Sequence, residues 1–416
     1  MEILKIMGGH KLSGTIEIGG AKNSAVALVP ASILSDEVVI NNVPEISDVR
    51  TLEEIINYLG AEFYKEGHKI TINSKKIKNK EITADYCKRL RASYYFMGAM
   101  LSKFKEVTMY FPGGCPIGDR PIDFHLAAFQ KMGAKVTICD DKCMIRAKKL
   151  VGADITFPMV SVGATINVLL AAVKASGTTI IRNAAIEPEV ANVIDFLNSM
   201  GAKINGKDTS TLIIDGVEKL SGGKVTVIPD RIEAGTYIIA GALMGNDLTI
   251  NSIDPRHLTS FLNKLREMNV NMVVEDHSIT VSRSEKIKAI NIETGAYPDF
   301  PTDLQQPITP LLCLANGESI LTENIYENRF QNVKFLNSMG ADIEVSSNTI
   351  RVNGPCEFKA ANVNATDLRA GACLILAALC ASSTTIISDV NHILRGYENI
   401  IEKLNNVGAK ITLEYV

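Results

Sequence analysis

Residues 111–125, reading FPGGCPIGDRPIDFH, hold the densest set of groups able to do chemistry. The Cys115 thiol lies between Gly113-Gly114 and Pro116, which places it on a loop. Asp119 and Arg120 add charge of both signs. Pro121 suits the first turn of a helix running on through Phe124, Leu126 and Phe129. An arginine and a helix N-terminus both hold negative charge, so the segment suits chemistry on an anion. The same positive field favours thiolate over thiol, whose free pKa is about 8.5. Taken alone, the stretch reads equally well as a glycine-rich surface turn that carries a cysteine.

Other basic residues stand where buried helices begin or strands end. Lys22 follows Gly19-Gly20-Ala21, Arg91 precedes Ala92-Ser93, and Arg369 follows Asp367. Arg395 stands at the end of a strand, and Arg329 comes after another. Singly, each reads as a solvated cap; together they can converge on one cleft between two domains. Asp303, in Phe-Pro-Thr-Asp-Leu, reads as a helix N-cap, with Thr302 as the alternative cap. In a cationic cleft the same carboxylate could instead take a proton from a hydroxyl. Ser161 and Gly163 form a further helix start with backbone donors for a phosphate. The histidines are scattered; only His125 is near the cysteine loop, and a structural role is its default reading. No GxxxxGK[ST] spacing and no GxGxxG after a strand occurs, so a nucleoside triphosphate or dinucleotide is unsupported.

The elements that position these residues repeat. A helix ends in Leu59-Gly60-Ala61, Met132-Gly133-Ala134, Met200-Gly201-Ala202, Met268-Asn269-Val270, Met339-Gly340-Ala341 and Val407-Gly408-Ala409, about 70 residues apart. Glycine fits the left-handed residue that ends a helix, and asparagine is its common substitute. A short alternating strand is expected after each phrase. Before it come an opening strand, a small-residue helix, a β-branched strand and a more polar helix. The small-residue helices, such as 21–34 and 368–381, are apolar nearly all round and should be buried; the second helices are amphipathic and should face water.

The fold class is therefore α/β: an inside-out α/β barrel arrangement, with buried helices and outer sheets. Two domains of three pseudo-repeats each are expected, 22–227 and 1–21 plus 228–416, with the active site in the cleft between them. A closed solenoid of six units is the competing arrangement.

Composition narrows the class. The chain has 416 residues, 46% hydrophobic and 21% charged, which fits a two-domain globular protein. The net charge of -3 and the lack of a basic block argue against nucleic acid. No long apolar run or leader suggests membrane insertion, so a cytoplasmic protein is expected. Eight cysteines show no CxxC pair and no accompanying histidine cluster, so no metal site is expected. Cys313, Cys373 and Cys380 sit in apolar helical runs and read as core thiols.

Nine short motifs carry a resemblance that spans the chain: GlyAlaLysAsn at 20–23, ArgAlaSer at 91–93, the cysteine loop at 113–125, SerValGlyAlaThr at 161–165, ProAspArgIleGlu at 229–233, PheProThrAsp at 300–303, GluAsnArgPhe at 327–330, AspLeuArgAla at 367–370 and ArgGlyTyrGlu at 395–398. In this order they resemble the UDP-N-acetylglucosamine enolpyruvyl transferase family of the EPSP synthase superfamily. The resemblance implies phosphoenolpyruvate and UDP-N-acetylglucosamine as substrates, a first step of peptidoglycan synthesis, and no metal or organic cofactor. It implies that Lys22 and Asn23 bind phosphoenolpyruvate, with Arg120 and Arg395 on its phosphate and Arg329 and Arg369 near its carboxylate. Cys115 would be the general acid, able to carry a phospholactoyl adduct, and Asp303 the base. Arg91, Arg120, Pro121, Ile122, Asp123, Phe124, Val160, Ser161, Val162, Gly163 and Ile325 would line the nucleotide-sugar site.

One departure stands out. Members of that family often carry lysine or proline before the SerValGly motif, whereas here Phe157-Pro158-Met159 precedes it, and Met159 offers no cation to a uridine or diphosphate oxygen. Two alternatives share the architecture. The shikimate-pathway enolpyruvyl transferase lacks this cysteine loop, and a non-catalytic nucleotide-sugar binder has no need of an acid and a base.

Overall fold

The computed structural model describes residues 2–113 and 121–415. Cys115 and Arg120, which carry two of the expected roles, lie outside the described residues. The described chain forms two compact units, one of residues 2–19 and 229–415, the other of residues 20–113 and 121–228. The chain passes from one unit to the other at 19/20 and again at 228/229.

Six small sheets hold the described strands, five of four strands and one of three, and none closes on itself. The five four-stranded sheets share one pattern. In the sheet of Thr178–Arg182, that strand pairs antiparallel with Thr211–Asp215, which pairs antiparallel with Lys203–Asn205; on its other edge Asp154–Thr156 runs parallel. Glu318 to Thr322 sits between an antiparallel and a parallel neighbour in the same way. In the three-stranded sheet, an isolated parallel bridge from Ile82 to Met109 stands where the fourth strand would lie. The N-terminal strand Glu2–Met7 pairs antiparallel with both Thr384–Ser388 and Lys410–Tyr415.

The helices follow from composition. Arg231–Met244 is buried along its whole length and packs against Gln305–Cys313 and Leu368–Cys380, which also pack on each other. In the other unit Lys22–Ala31, Tyr95–Phe104 and Val162–Ala172 are the buried helices. Small residues let these helices come close. A Cβ on Gly98 would lie 2.3 Å from the Asn167 carbonyl oxygen on the facing helix. The second helices, such as Ser47–Leu59, bury one face and expose the other.

The repeated helix ends adopt the backbone their residues suggest. Gly60, Gly133, Gly201, Gly340 and Gly408 have φ between 90° and 111°, and Asn269 has φ 61°. Three of the ends share a further clamp: the side chains of Asn198, Asn337 and Asn405 bond both the N–H and the C=O of the residue six positions on.

Two expectations need correction. A hairpin, not a single strand, follows five of the six helix ends; after Gly60 it consists of Glu62–Glu66 and Lys69–Asn73. After Gly408 the single expected strand is present, as Lys410–Tyr415. The edge strand Glu62–Glu66 lies half-buried to exposed with no alternation, so it carries no period-two signal. The strand expected to end at Arg395 is instead the short helix Asn391–Leu394, with Arg395 as its C-cap.

Candidate active site

Asp303 is the centre of the best-defined polar cluster. Pro301 is extended and leads into the 3₁₀ turn Thr302–Leu304. That turn buries Leu304 in the core and leaves the Asp303 side chain 26% exposed. Leu304, not Asp303, stands at the N-cap of the helix that follows, so the N-cap reading of Asp303 is set aside. Its carboxylate meets two buried arginines: Arg329 Nη2 donates to Oδ1 at 2.6 Å, and Arg369 Nη2 donates to Oδ2 at 3.1 Å. Burial pushes the carboxyl pKa up, but Arg369 and then Arg329 outweigh it and hold it well below the usual carboxylate range.

Each arginine has its own supports. Arg329 Nη1 donates to Thr302 Oγ1 at 2.6 Å, and Thr302 donates to Glu323 Oε2 at 2.8 Å. Glu323 in turn accepts from the N–H groups of Ile325 and Tyr326, which shapes the turn carrying Ile325. Arg369 opens the helix Leu368–Cys380, where Asp367 Oδ1 accepts its N–H at 2.9 Å as the N-cap. The Tyr397 ring lies under the Arg369 guanidinium at 5.3 Å, and the Tyr397 hydroxyl shares a hydrogen bond with Thr236 at 2.9 Å.

In the other unit, Lys22 opens its helix and is paired with Asp48 at 2.9 Å. Both side chains are largely buried, so Lys22 is no solvated cap. Asp48 lies in the first turn of Ser47–Leu59, where the helix dipole favours its charge. Arg91 Nη1 donates to the carbonyls of Pro112 and Gly113 at 3.2 and 3.3 Å, bracing the chain that enters the cysteine stretch.

Ser161 caps Val162–Ala172, its Oγ accepting from Ala164 N at 3.3 Å. Gly163 must lack a side chain: a Cβ there would stand 2.9 Å from Tyr94 Oη and 3.1 Å from His125 Cε1. His125 follows Asp123 and Phe124 on the helix Asp123–Lys131, and Ile122 is the N-cap. Pro121 therefore lies two residues ahead of the helix, not in its first turn. Phe124 packs near Phe157, ring centroids 6.4 Å apart. Met159 is exposed.

The buried His125 Nδ1 is 2.9 Å from Asn167 Nδ2, and Asn167 Oδ1 accepts from Gly98 N at 2.8 Å. Asn167 thus ties together the three helices that carry or adjoin the expected nucleotide-sugar residues. Burial, and then the charge of Arg91, push the His125 pKa down from 6.5 to about 3. The ring is neutral at neutral pH, and its Nδ1 accepts from the Asn167 amide. Below an unfolded pKa of about 6.5 the unfolded chain takes up a proton that the folded chain refuses. The contribution of this group is therefore complete above that pH and is lost as pH falls toward the folded value. The melting temperature of wild-type protein should fall more steeply between pH 6.5 and 4.5 than that of His125→Gln, whose amide can still accept from Asn167. Parallel slopes in differential scanning calorimetry would remove His125 as an acid-sensitive group.

Asp303, Arg329 and Arg369 are thus brought into direct contact. Lys22, Asn23, Arg91, Val160, Ser161, Val162 and Gly163 belong to one unit, and Asp303, Ile325, Arg329, Arg369 and Arg395 to the other. Asp48, Tyr397, Asn167 and the Thr302–Glu323 pair are supports that sequence reasoning missed. Tyr397 lay inside the ArgGlyTyrGlu motif and Thr302 inside PheProThrAsp, and Asn167 is a polar residue in an apolar helix; Asp48 and Glu323 carry no local signal. Among the described residues, no group of three or more His, Cys, Asp or Glu is placed to hold a metal ion. No helix of the described residues is long and apolar enough to cross a membrane.

Solved structures place the architecture. The enolpyruvyl transferase NikO from Streptomyces tendae matches with a TM-score of 0.89 and 27% identity, over 100% of this chain and 99% of that one. EPSP synthase from Acinetobacter baumannii matches over the full length of both chains with a TM-score of 0.77 at 18% identity, a likeness of fold alone. The fold is the mixed α/β fold of the enolpyruvyl transferases. The profile of the EPSP synthase (3-phosphoshikimate 1-carboxyvinyltransferase) family matches residues 6–404. Among individual proteins, UDP-N-acetylglucosamine 1-carboxyvinyltransferase 2 of Geobacillus kaustophilus (strain HTA426) is 48% identical over 415 residues, covering 100% of this chain and 97% of the relative. The protein of the same name from Staphylococcus aureus (strain MRSA252) is 47% identical over 417 residues, covering 100% and 99%. The chain belongs to the EPSP synthase family and, within it, to the UDP-N-acetylglucosamine 1-carboxyvinyltransferases.

Proposed function

We propose that the chain transfers the enolpyruvyl group of phosphoenolpyruvate to the 3-hydroxyl of UDP-N-acetylglucosamine and releases phosphate, the first committed step of peptidoglycan synthesis. The observation that carries this reading is the 48% identity, over the whole chain, with a relative named for that transfer. The carboxylate–diguanidinium cluster at Asp303 supports it, because the reaction needs a base and cations for anionic substrates.

In the first stage the sugar O3–H bond breaks as its oxygen bonds to C2 of phosphoenolpyruvate. The proton goes to Asp303, and the C2=C3 electron pair takes a proton at C3 from Cys115. In the second stage C3 loses a proton to the Cys115 thiolate formed in the first, the double bond re-forms, and phosphate departs with the C2–O electron pair. Lys22 and Asn23 bind phosphoenolpyruvate, with Arg120 and Arg395 on its phosphate and Arg329 and Arg369 on its carboxylate. Arg91, Arg120, Pro121, Ile122, Asp123, Phe124, Val160, Ser161, Val162, Gly163, Asp303 and Ile325 contact the nucleotide sugar. Arginine suits these tasks because its planar fork meets carboxylate and phosphate with paired donors.

Residues of both units take part in this reaction, and no cofactor is needed. The finer architecture we assign is two domains of three pseudo-repeats, with buried helices inside and sheets outside. The recurring sheet pattern and the six helix ends support it. The protein works in the cytoplasm, where phosphoenolpyruvate is made.

Purified protein should release phosphate from phosphoenolpyruvate only when UDP-N-acetylglucosamine is present. A coupled phosphate assay with each acceptor tests this. Release with shikimate 3-phosphate, or none with the nucleotide sugar, would sink the assignment; a mere binder would release none with either.

A further inference from the structure

Asp303 is assigned the base, yet both of its carboxylate oxygens are taken. Oδ1 accepts from Arg329 at 2.6 Å and Oδ2 from Arg369 at 3.1 Å. A carboxylate bridged by two cations accepts a proton poorly. We infer that the carboxylate of the enolpyruvyl donor activates Asp303 by taking its place on Arg329 and Arg369, so that the base becomes available only once the donor is bound. The inference rests on the reaction proposed above and concerns how that reaction is gated.

The partners differ in burial. The arginine side chains are 3% and 6% exposed, whereas that of Asp303 is 26% exposed. The arginines have further partners in Thr302, the Tyr326 ring and the Tyr397 ring. Asp303 is therefore the partner that can turn away. Arg329 also keeps a buried Nε–H with no hydrogen-bond partner among the described residues, a donor that an entering carboxylate oxygen can occupy. The other charged or titratable groups acting on the two arginines are Asp230, Glu323, Tyr326 and Tyr397, and the two carboxylates add to the attraction for cations.

Exchanging one carboxylate for another conserves charge at the guanidinium pair. Neither arginine is then left buried and unpaired, the outcome that makes breaking such a pair expensive. The gate also orders events: the sugar hydroxyl keeps its proton until there is a C2 carbon to attack. A donor lacking the carboxylate would leave Asp303 clamped, so the same contact selects for that group.

The test compares two unreactive phosphate esters by calorimetry, at saturating UDP-N-acetylglucosamine. One is 2-phospholactate, which keeps the carboxylate; the other is isopropyl phosphate, which lacks it. Asp303→Asn removes the negative charge that competes for the arginines. The variant should bind 2-phospholactate at least about tenfold more tightly than wild type, the lower end of what one charge-assisted hydrogen bond is worth. Isopropyl phosphate affinity should stay within about twofold. Asp303→Ala should repeat the pattern, which guards against a folding defect peculiar to one variant. Equal tightening for both esters would mean only a general charge effect, and no tightening would mean no competition; either overturns the gate. Failure of the function itself looks different, since wild-type protein would then release no phosphate with the nucleotide sugar.

Discussion

Turnover of the Asp303→Asn protein falls by about 10²–10⁴-fold, the usual contribution of a positioned general base. The substitution keeps the size and one acceptor oxygen but cannot take the hydroxyl proton. Arg369 and Arg329 hold the carboxyl of the donor-free protein well below the ordinary range, and a released aspartate with its ordinary pKa of about 3.9 is also ionised throughout pH 6–9. The deficit should therefore be constant across that range in steady-state phosphate release. The pattern of kinetic constants matters as much as the size. A residue that only helped binding would raise KM and leave kcat intact. Here kcat falls while the apparent affinity for the donor rises, because the arginines lose an internal competitor. Retention of more than about a tenth of wild-type turnover would remove Asp303 from the proton transfer.

The two buried arginines explain why this site was only half legible in the sequence. Arg329 and Arg369 stand 26 and 66 residues from Asp303, and no periodicity links such positions. What the sequence offered was residue type at element ends. The same limit hid Asp48, which pairs with Lys22 from the start of another helix. Asn167 reads as an interruption in an apolar helix, yet it is the group that joins three helices beneath Gly163 and His125. A polar residue in a buried helix must find partners, so its presence predicts a contact without naming it.

The fold was more legible because its signals are local. A left-handed backbone ends a helix, and glycine or asparagine tolerates it at little cost, so Gly60, Asn269 and Gly408 mark equivalent places. Helices buried all round leave a composition rich in alanine and glycine, as in Arg231–Met244. Edge strands leave no such mark. Glu62–Glu66 has no fully buried residue, and its place in the sheet comes from pairing with Lys69–Asn73. The helical turn at Asn391–Leu394 is not legible as helix because four residues are too few for either period to show.

Exposure to the epoxide phosphonate fosfomycin abolishes activity and leaves a single adduct, on Cys115. The thiolate sulfur attacks an epoxide carbon, the C–O bond breaks, and the released oxygen takes a proton to become a hydroxyl. The competing thiols argue for that selectivity. Burial pushes Cys143 up to about 11 and Cys373 and Cys380 up to about 12. Burial also raises Cys87, and the bond to Cys356 together with burial raises Cys313. These five present almost no thiolate at neutral pH. Cys139 is exposed and Cys356 is half-buried, so both are open to a small uncharged alkylator. Iodoacetamide should therefore modify Cys139 and Cys356 as well, whereas the phosphonate should not, because it needs the cations proposed for the donor: Lys22, with Arg120 and Arg395 on the phosphate. Peptide mapping by mass spectrometry separates the two reagents. Cys115→Asp keeps an acid at that position and removes the sulfur, so the protein should stay active and escape fosfomycin. An adduct that persists in Cys115→Asp would place the nucleophile on another residue.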